Sequence, residues 1–256
     1  MRAENKTPDK LIGILCAERG ELPPRLREED KADYFRALCN VRPPLPVSET
    51  FLHLQDEYLS ERTAARGVAD VNGFSYRNGV CLWQGDITRL NADAIVNACN
   101  ADLLGCFHPL HGCIDNAIHS NAGVQVRLDC NAMMQGGREP NGRVRVTKAY
   151  NLPCRLIFHT VGPIVRGEPT AQNERDLKNC YLSCLNEAEK RGLSSLAFCC
   201  ISTGEYGYPK DKACAAAVQT VRAWLRETKS NLKIIFDVFT NEDKELYERE
   251  LRREPH

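Results

Sequence analysis

Apolar positions fall three and four apart through the first quarter of the chain and then gather into short unbroken runs, and the change comes near residue 73. Residues 9–19 set Leu11, Ile12 and Leu15 on one face, 28–40 carry Tyr34, Phe35 and Leu38, and 48–65 carry Phe51, Leu52, Leu54 and Leu59. That spacing predicts three helices. Pro23-Pro24 and Pro43-Pro44-Leu45-Pro46 stop one helix before the next, and Ser48 ahead of Phe51 and Leu52 suits an N-cap. Beyond residue 73, runs rich in β-branched and aromatic residues predict strands. They lie at Phe74-Ser75-Tyr76, Val80-Cys81-Leu82-Trp83, Ala94-Ile95-Val96, Leu156-Ile157-Phe158-His159, Leu196-Ala197-Phe198-Cys199-Cys200-Ile201 and Ile234-Ile235-Phe236-Asp237-Val238. Helical patterns alternate with them at 113–134, 173–191, 210–226 and 242–252, and Asn78-Gly79 fits a tight turn ahead of the Trp83 strand.

Alternation of this kind implies an α/β fold with helices on both faces of a largely parallel sheet. On this reading a helical N-terminal region, 1–72, packs on a core built from 73–256. A chain of 256 residues with 43% hydrophobic content can bury one substantial core. Lys and Arg number 34 against 34 Asp and Glu, so no long-range field draws the chain to nucleic acid or to an anionic membrane. An anion it binds must be held locally, by backbone amides or a metal. Thirteen cysteines is a high and odd number, and Cys16, Cys81, Cys99, Cys199 and Cys200 lie in apolar runs, which reads as reduced thiols behaving as small hydrophobes. Met1-Arg2-Ala3-Glu4-Asn5-Lys6 lacks an apolar leader, and no stretch approaches the roughly 20 apolar residues of a membrane span. The expectation is a soluble, cytoplasmic protein.

The densest chemistry lies in Gly105-Cys106-Phe107-His108-Pro109-Leu110-His111-Gly112-Cys113, which runs straight into Ile114-Asp115-Asn116-Ala117-Ile118-His119. Thiolate and imidazole are preferred donors for Zn²⁺, and Cys106, His111 and Cys113 would leave a fourth tetrahedral position open, as a catalytic zinc requires. A closed structural site results instead if His108 or a distant cysteine supplies a fourth ligand. Ligands of open α/β sheets bind beyond the carboxyl ends of the strands. Three segments fall there: Gln84-Gly85-Asp86-Ile87-Thr88, Asn97-Ala98-Cys99-Asn100 and Ser202-Thr203-Gly204-Glu205-Tyr206-Gly207-Tyr208-Pro209. The last can aim backbone amides and a helix N-terminus at a phosphate, with Pro209 near the first helical position. Together they sketch a nucleotide cleft.

In order and spacing, Gln84-Gly85-Asp86-Ile87-Thr88, Ile95-Val96-Asn97-Ala98-Cys99-Asn100, Ile118-His119 with Gly123, and Ile201-Ser202-Thr203-Gly204 resemble macrodomains, the ADP-ribose-binding modules of three-layer α/β/α fold with a mixed, largely parallel sheet. The 106–113 loop narrows the resemblance to zinc-dependent macrodomains, microbial protein mono-ADP-ribosyl hydrolases, and Asn40-Val41-Arg42-Pro43-Pro44 is similar to their helical N-terminal region. Residues 73–256 would then be the macrodomain. Cys99 departs from the usual alanine and adds an oxidisable thiol beside the ligand. The resemblance implies that Asp86 accepts a hydrogen bond from the adenine amino group, that the Ile87 backbone lies near it, and that Asn100 contacts the distal ribose. It further implies that Ser202, Thr203, Gly204, Glu205, Tyr206 and Gly207 wrap the pyrophosphate, with Tyr206 or Tyr208 against the ribose. Cys106, His111 and Cys113 match the zinc ligands, and Asp115, with Asn100, is the expected catalytic group.

Each of these residues also has a plainer role. Cys106, His111 and Cys113 could be a structural clamp or buried thiols near a surface histidine. Asp115 could be a helix N-terminal acid that suits the dipole. His119 shares the helix face of Asp115, and a structural hydrogen bond is expected of it rather than general-base work. His108 is expected to be exposed or outside the ligand set, and His159 to be a satisfied core residue. The N-terminal helices could be a lid, a docking surface or packing alone. The reading is zinc-dependent hydrolysis of the bond between ADP-ribose and a protein side chain, the partners being ADP-ribose and mono-ADP-ribosylated protein, with zinc as Lewis acid on a ribose oxygen or as activator of water. Its rivals are a non-catalytic ADP-ribose reader with a structural zinc and a hydrolase of a free ADP-ribose derivative.

Overall fold

The computed structural model describes residues 7–253; the polar segment 1–6 lies outside the described residues. Three helices come first, α1 (Thr7–Glu18), α2 (Glu28–Val41) and α3 (Glu49–Arg66). Ser48 caps α3 by accepting from the Phe51 amide, which satisfies one of the donors a helix start leaves free. Their facing apolar residues, Leu11, Leu15, Phe35, Leu38, Phe51 and Leu59, form a core of their own that Val124 joins from the rest of the molecule.

A six-stranded sheet follows, in the order β1-β6-β5-β2-β4-β3. The strands are β1 (Val80–Gln84), β2 (Ala94–Ala98), β3 (Val144–Lys148), β4 (Leu156–Thr160), β5 (Ser195–Phe198) and β6 (Lys233–Val238). Every pairing is parallel except β3 with β4, so the sheet is mixed and largely parallel. Parallel strands covered on both faces read as continuous apolar runs, and β2 shows it, with Ile95 and Val96 fully buried. Helices α6 (Ala171–Lys190), α7 (Lys210–Thr228) and α8 (Asn241–Arg252) pack in series on one face. Helices α4 (Ile114–Ala122) and α5 (Val124–Met134) cover β2 and β3 on the other, with α2 and α3 against α4 from outside. Among the described residues, no helix is long and apolar enough to cross a membrane.

Three expectations change. Phe74-Ser75-Tyr76 is not a strand; it connects a 3₁₀ turn at Val71–Gly73 to the Asn78-Gly79 turn. That turn is as expected, with φ of +53° and +79° and Arg77 and Val80 exchanging both backbone hydrogen bonds. The helix over 113–134 is two helices, because Gly123 at φ +103° breaks it. A side chain there could not be housed, since a Cβ would lie 2.6 Å from Gln55 Nε2, and Gln55 itself accepts from the Val124 amide to start α5. Finally, β3 has no counterpart in the predicted strands.

Candidate functional site

A cleft of about 1240 Å³ opens where β1, β2, β5 and β6 end, between the sheet and the inner sides of α2 and α3. It gathers Asp86, Ile87, Asn100, Cys106, His111, Cys113, Asp115, Ser202, Thr203, Gly204, Glu205 and Tyr206 on one wall system. Gly207 stands behind that wall, its amide donating to the Gly204 carbonyl at 3.0 Å. Tyr206 faces the cleft, with its hydroxyl toward the Cys99 carbonyl at 3.5 Å, whereas Tyr208 is buried.

At one end sit the three metal-type donors. The loop 99–113 has no regular structure, yet Cys106 Sγ lies 3.4 Å from His111 Nδ1, and the donor atoms of Cys106, His111 and Cys113 all fall within 4.8 Å of one another. A spread that small lets one ion reach all three at zinc-ligand lengths of about 2.0 to 2.3 Å. Cys113 is also the N-cap of α4, its Sγ accepting from the Asn116 amide at 3.4 Å. Burial pushes the Cys113 thiol up to about 12. His111 turns Nε2 toward Glu205 Oε1 at 3.4 Å, the kind of carboxylate partner that fixes the tautomer of a metal-bound imidazole. The His108 side chain is exposed and outside the donor group.

Asp115 follows at the second position of α4, 5% exposed, its Oδ1 accepting from Asn97 Nδ2 at 2.8 Å. Burial raises its carboxyl to about 6, against the lowering pull of that hydrogen bond and of the Arg127 charge. The structural hydrogen bond expected of His119 is not made: Nε2 is 3.5 Å from Asp115 Oδ1 without hydrogen-bond geometry, and both ring nitrogens are buried with no partner among the described residues. Burial holds this imidazole well below its ordinary value. His159, by contrast, is satisfied, by Asn97 Nδ2 at 3.2 Å and Thr147 Oγ1 at 2.9 Å. Asn100 braces its own loop, donating to the Gly105 carbonyl and accepting from the Asp102 amide. Cys99, expected as an oxidisable thiol beside the ligand, is buried and bonds the Thr160 carbonyl at 3.4 Å, and burial drives its pKa well up, which disfavours the thiolate that oxidation needs.

At the other end Asp86 caps the turn Ile87–Arg89, accepting from the Thr88 amide and hydroxyl through Oδ1, while Oδ2 takes Arg66 of α3 at 3.0 Å. Between the two ends, the amides of Gly204, Glu205 and Tyr206 find no acceptor among the described residues, and Ser202, at φ +66°, has a buried and unpartnered Oγ. Unpaired backbone amides in a turn of this kind can hold an anion.

Several wall residues escaped sequence reasoning. Asp237 and Phe239 lie at the end of β6, Asp237 buried with Oδ1 unpartnered and its carboxyl well above the usual range through burial and then the Asp86 charge. The strand-end rule, applied to β6 as it was to β1, β2 and β5, would have found them. Arg36, Arg62 and Arg66 come from α2 and α3, and only the packing of those helices brings them here.

Residues 96–217 match the Macro domain family. The chain is similar to the protein-ADP-ribose hydrolase of Staphylococcus aureus (strain MRSA252), 47% identical over 231 residues that span 88% of this chain and 86% of that protein. Of solved structures it is similar to the Trypanosoma brucei macrodomain in complex with ADP, with a TM-score of 0.65 and 29% identity, covering 86% of this chain and 96% of that one. It is also similar to the Oceanobacillus iheyensis macrodomain with ADP, with a TM-score of 0.61 and 37% identity, covering 68% of this chain and 90% of that one.

Proposed function

The chain belongs to the macrodomain family, and from that premise we propose that it hydrolyses the bond between ADP-ribose and a modified protein side chain, with zinc held by Cys106, His111 and Cys113. The observation that carries this reading is the placement of a three-donor cluster and the buried Asp115 carboxylate at one end of a cleft whose other end carries Asp86. A pure reader of ADP-ribose needs the Asp86 end and the unpaired amides but has no use for the donor cluster and carboxylate together.

Asp86, with Oδ2 open to a second donor besides Arg66, accepts the adenine amino group next to the Ile87 backbone. The amides of Gly204, Glu205 and Tyr206 hold the pyrophosphate, and Tyr206 closes against the ribose. This run of contacts directs the distal ribose to Asn100 and the donor cluster, and a zinc ion there supplies Lewis-acid charge to that end of the cleft. Asp115, held by Asn97, orients the attacking group or takes its proton, a role that suits a carboxyl whose pKa is raised toward neutrality. Thirteen unpaired thiols suit a reducing, cytoplasmic setting.

The test is incubation of the purified protein with substrates carrying ADP-ribose on carboxylate, serine, arginine or cysteine, with and without a chelator. Release of free ADP-ribose that stops with chelator supports the reading and identifies the linkage. Tight binding without release would make the protein a reader, and release indifferent to chelator would remove zinc from the reaction.

A further inference from the structure

The loop that carries the three donors makes little structure of its own, and the contacts that shape it come largely from elsewhere. Asn40, buried on α2, accepts from the Leu110 amide at 3.0 Å, where the backbone turns left-handed at φ +56°, and donates to Ser120 Oγ at 2.9 Å. Arg36, one turn earlier on the same face of α2, donates through Nη2 to the His111 carbonyl at 3.1 Å and to Asn116 Oδ1 at 2.7 Å. Asn116 in turn donates to the His108 carbonyl at 2.9 Å. The loop is therefore gripped at 108, 110 and 111 by a relay that begins on the N-terminal helices.

We infer that Arg36 and Asn40 are positioning residues of the metal centre, and that the N-terminal helical region serves to pre-shape the donor loop rather than only to cover α4. The inference rests on the zinc reading above. Its physical ground is that a donor loop left loose must be ordered when the ion binds, whereas a loop already fixed at its backbone loses little freedom. A guanidinium suits this post because it reaches a carbonyl and an amide oxygen at once, which a single ammonium cannot do in the same geometry. Supporting partners of this kind are worth about 10- to 100-fold in metal affinity.

Zinc-loaded full-length protein and its Arg36→Ala and Arg36→Lys variants would be mixed with a chromophoric chelator, and zinc transfer followed. Both variants should lose zinc about tenfold faster or more. Leu38→Ala, which opens a hole among the helices without touching the loop, serves as the comparison. It should lower the unfolding midpoint and leave zinc release as in wild type; Arg36→Lys should do the reverse. Zinc release from Arg36→Lys at the wild-type rate overturns the inference while leaving the zinc reading intact. A wild-type chain that binds no zinc overturns both.

Discussion

His111 and Glu205 meet across the cleft at 3.4 Å, Nε2 to Oε1, so the loop of metal-type donors and the loop of free amides touch through one side-chain pair. The contact leaves Nδ1 of His111 facing Cys106. Glu205 was expected to serve the pyrophosphate through its backbone NH; that amide finds no acceptor among the described residues, and its carboxylate reaches the imidazole.

Glu205→Ala should therefore weaken zinc by roughly tenfold through loss of the group that orients His111. Competition against a chelator of known affinity measures this. Zinc bound as tightly as in wild type would show that the contact does not steer the ring.

Cys113 holds two posts, donor and N-cap, and two substitutions separate them. Cys113→Ser keeps a capping oxygen and should leave the metal-free protein as stable as wild type, while stoichiometric zinc is lost. Cys113→Ala should lose zinc and also about 1 kcal/mol of stability with the cap. Elemental analysis and urea unfolding decide it, and a Ser variant that retains a full equivalent of zinc would take Cys113 out of the ligand set.

Asp115→Asn preserves shape and a partner for Asn97, whereas Asp115→Ala would leave one N–H of Asn97 Nδ2 unpaired, at a cost of about 1 to 3 kcal/mol. The Asn variant should cut single-turnover hydrolysis by roughly 10² or more with ADP-ribose affinity little changed. A rate within a few fold of wild type would leave the carboxylate without a part in the reaction.

Acid should act through His159 as well as through the likewise buried His119. Burial holds the His159 imidazole down at about 3, below its ordinary 6.5, and the folded protein keeps it neutral between Asn97 and Thr147. Below pH 6.5 the unfolded chain takes up a proton that the folded chain refuses, so stability present above 6.5 is lost as pH falls toward 3, by about 1.4 kcal/mol per pH unit. The stability advantage of wild type over His159→Gln should shrink by about 2 kcal/mol between pH 6.5 and 5. Parallel urea titrations at the two pH values test this, and a constant difference would mean that the ring is protonated in the folded state.

What could be read from the amino acids alone follows how local each feature is. β2, β5 and β6 announce themselves because strands covered on both faces must be apolar throughout. β3 does not, since Val144-Arg145-Val146-Thr147-Lys148 lies at the sheet edge with exposed positions between its valines. Gly123 sits inside an unbroken helical pattern, and the glutamine that a side chain there would meet lies nearly seventy residues earlier in the chain. The clustering of Cys106, His111 and Cys113 was legible because eight consecutive residues hold them. Arg36 and Asn40 were not, because nothing in the helical period of α2 tells which polar side chains will meet a loop seventy residues away.

The cap at Cys113 has one further consequence, for how this segment can vary between related chains. Helix α4 begins where the thiol sits, so the number of residues from Cys113 to Asp115 sets the direction of the carboxylate as firmly as its chemistry does. One residue inserted there would swing Asp115 by about 100° around the helix and advance it by about 1.5 Å, away from Asn97 and off the cleft. A deletion would swing it the other way. Only Ile114 between them is therefore open to replacement, while the spacing from Cys113 to Asp115 is held by geometry.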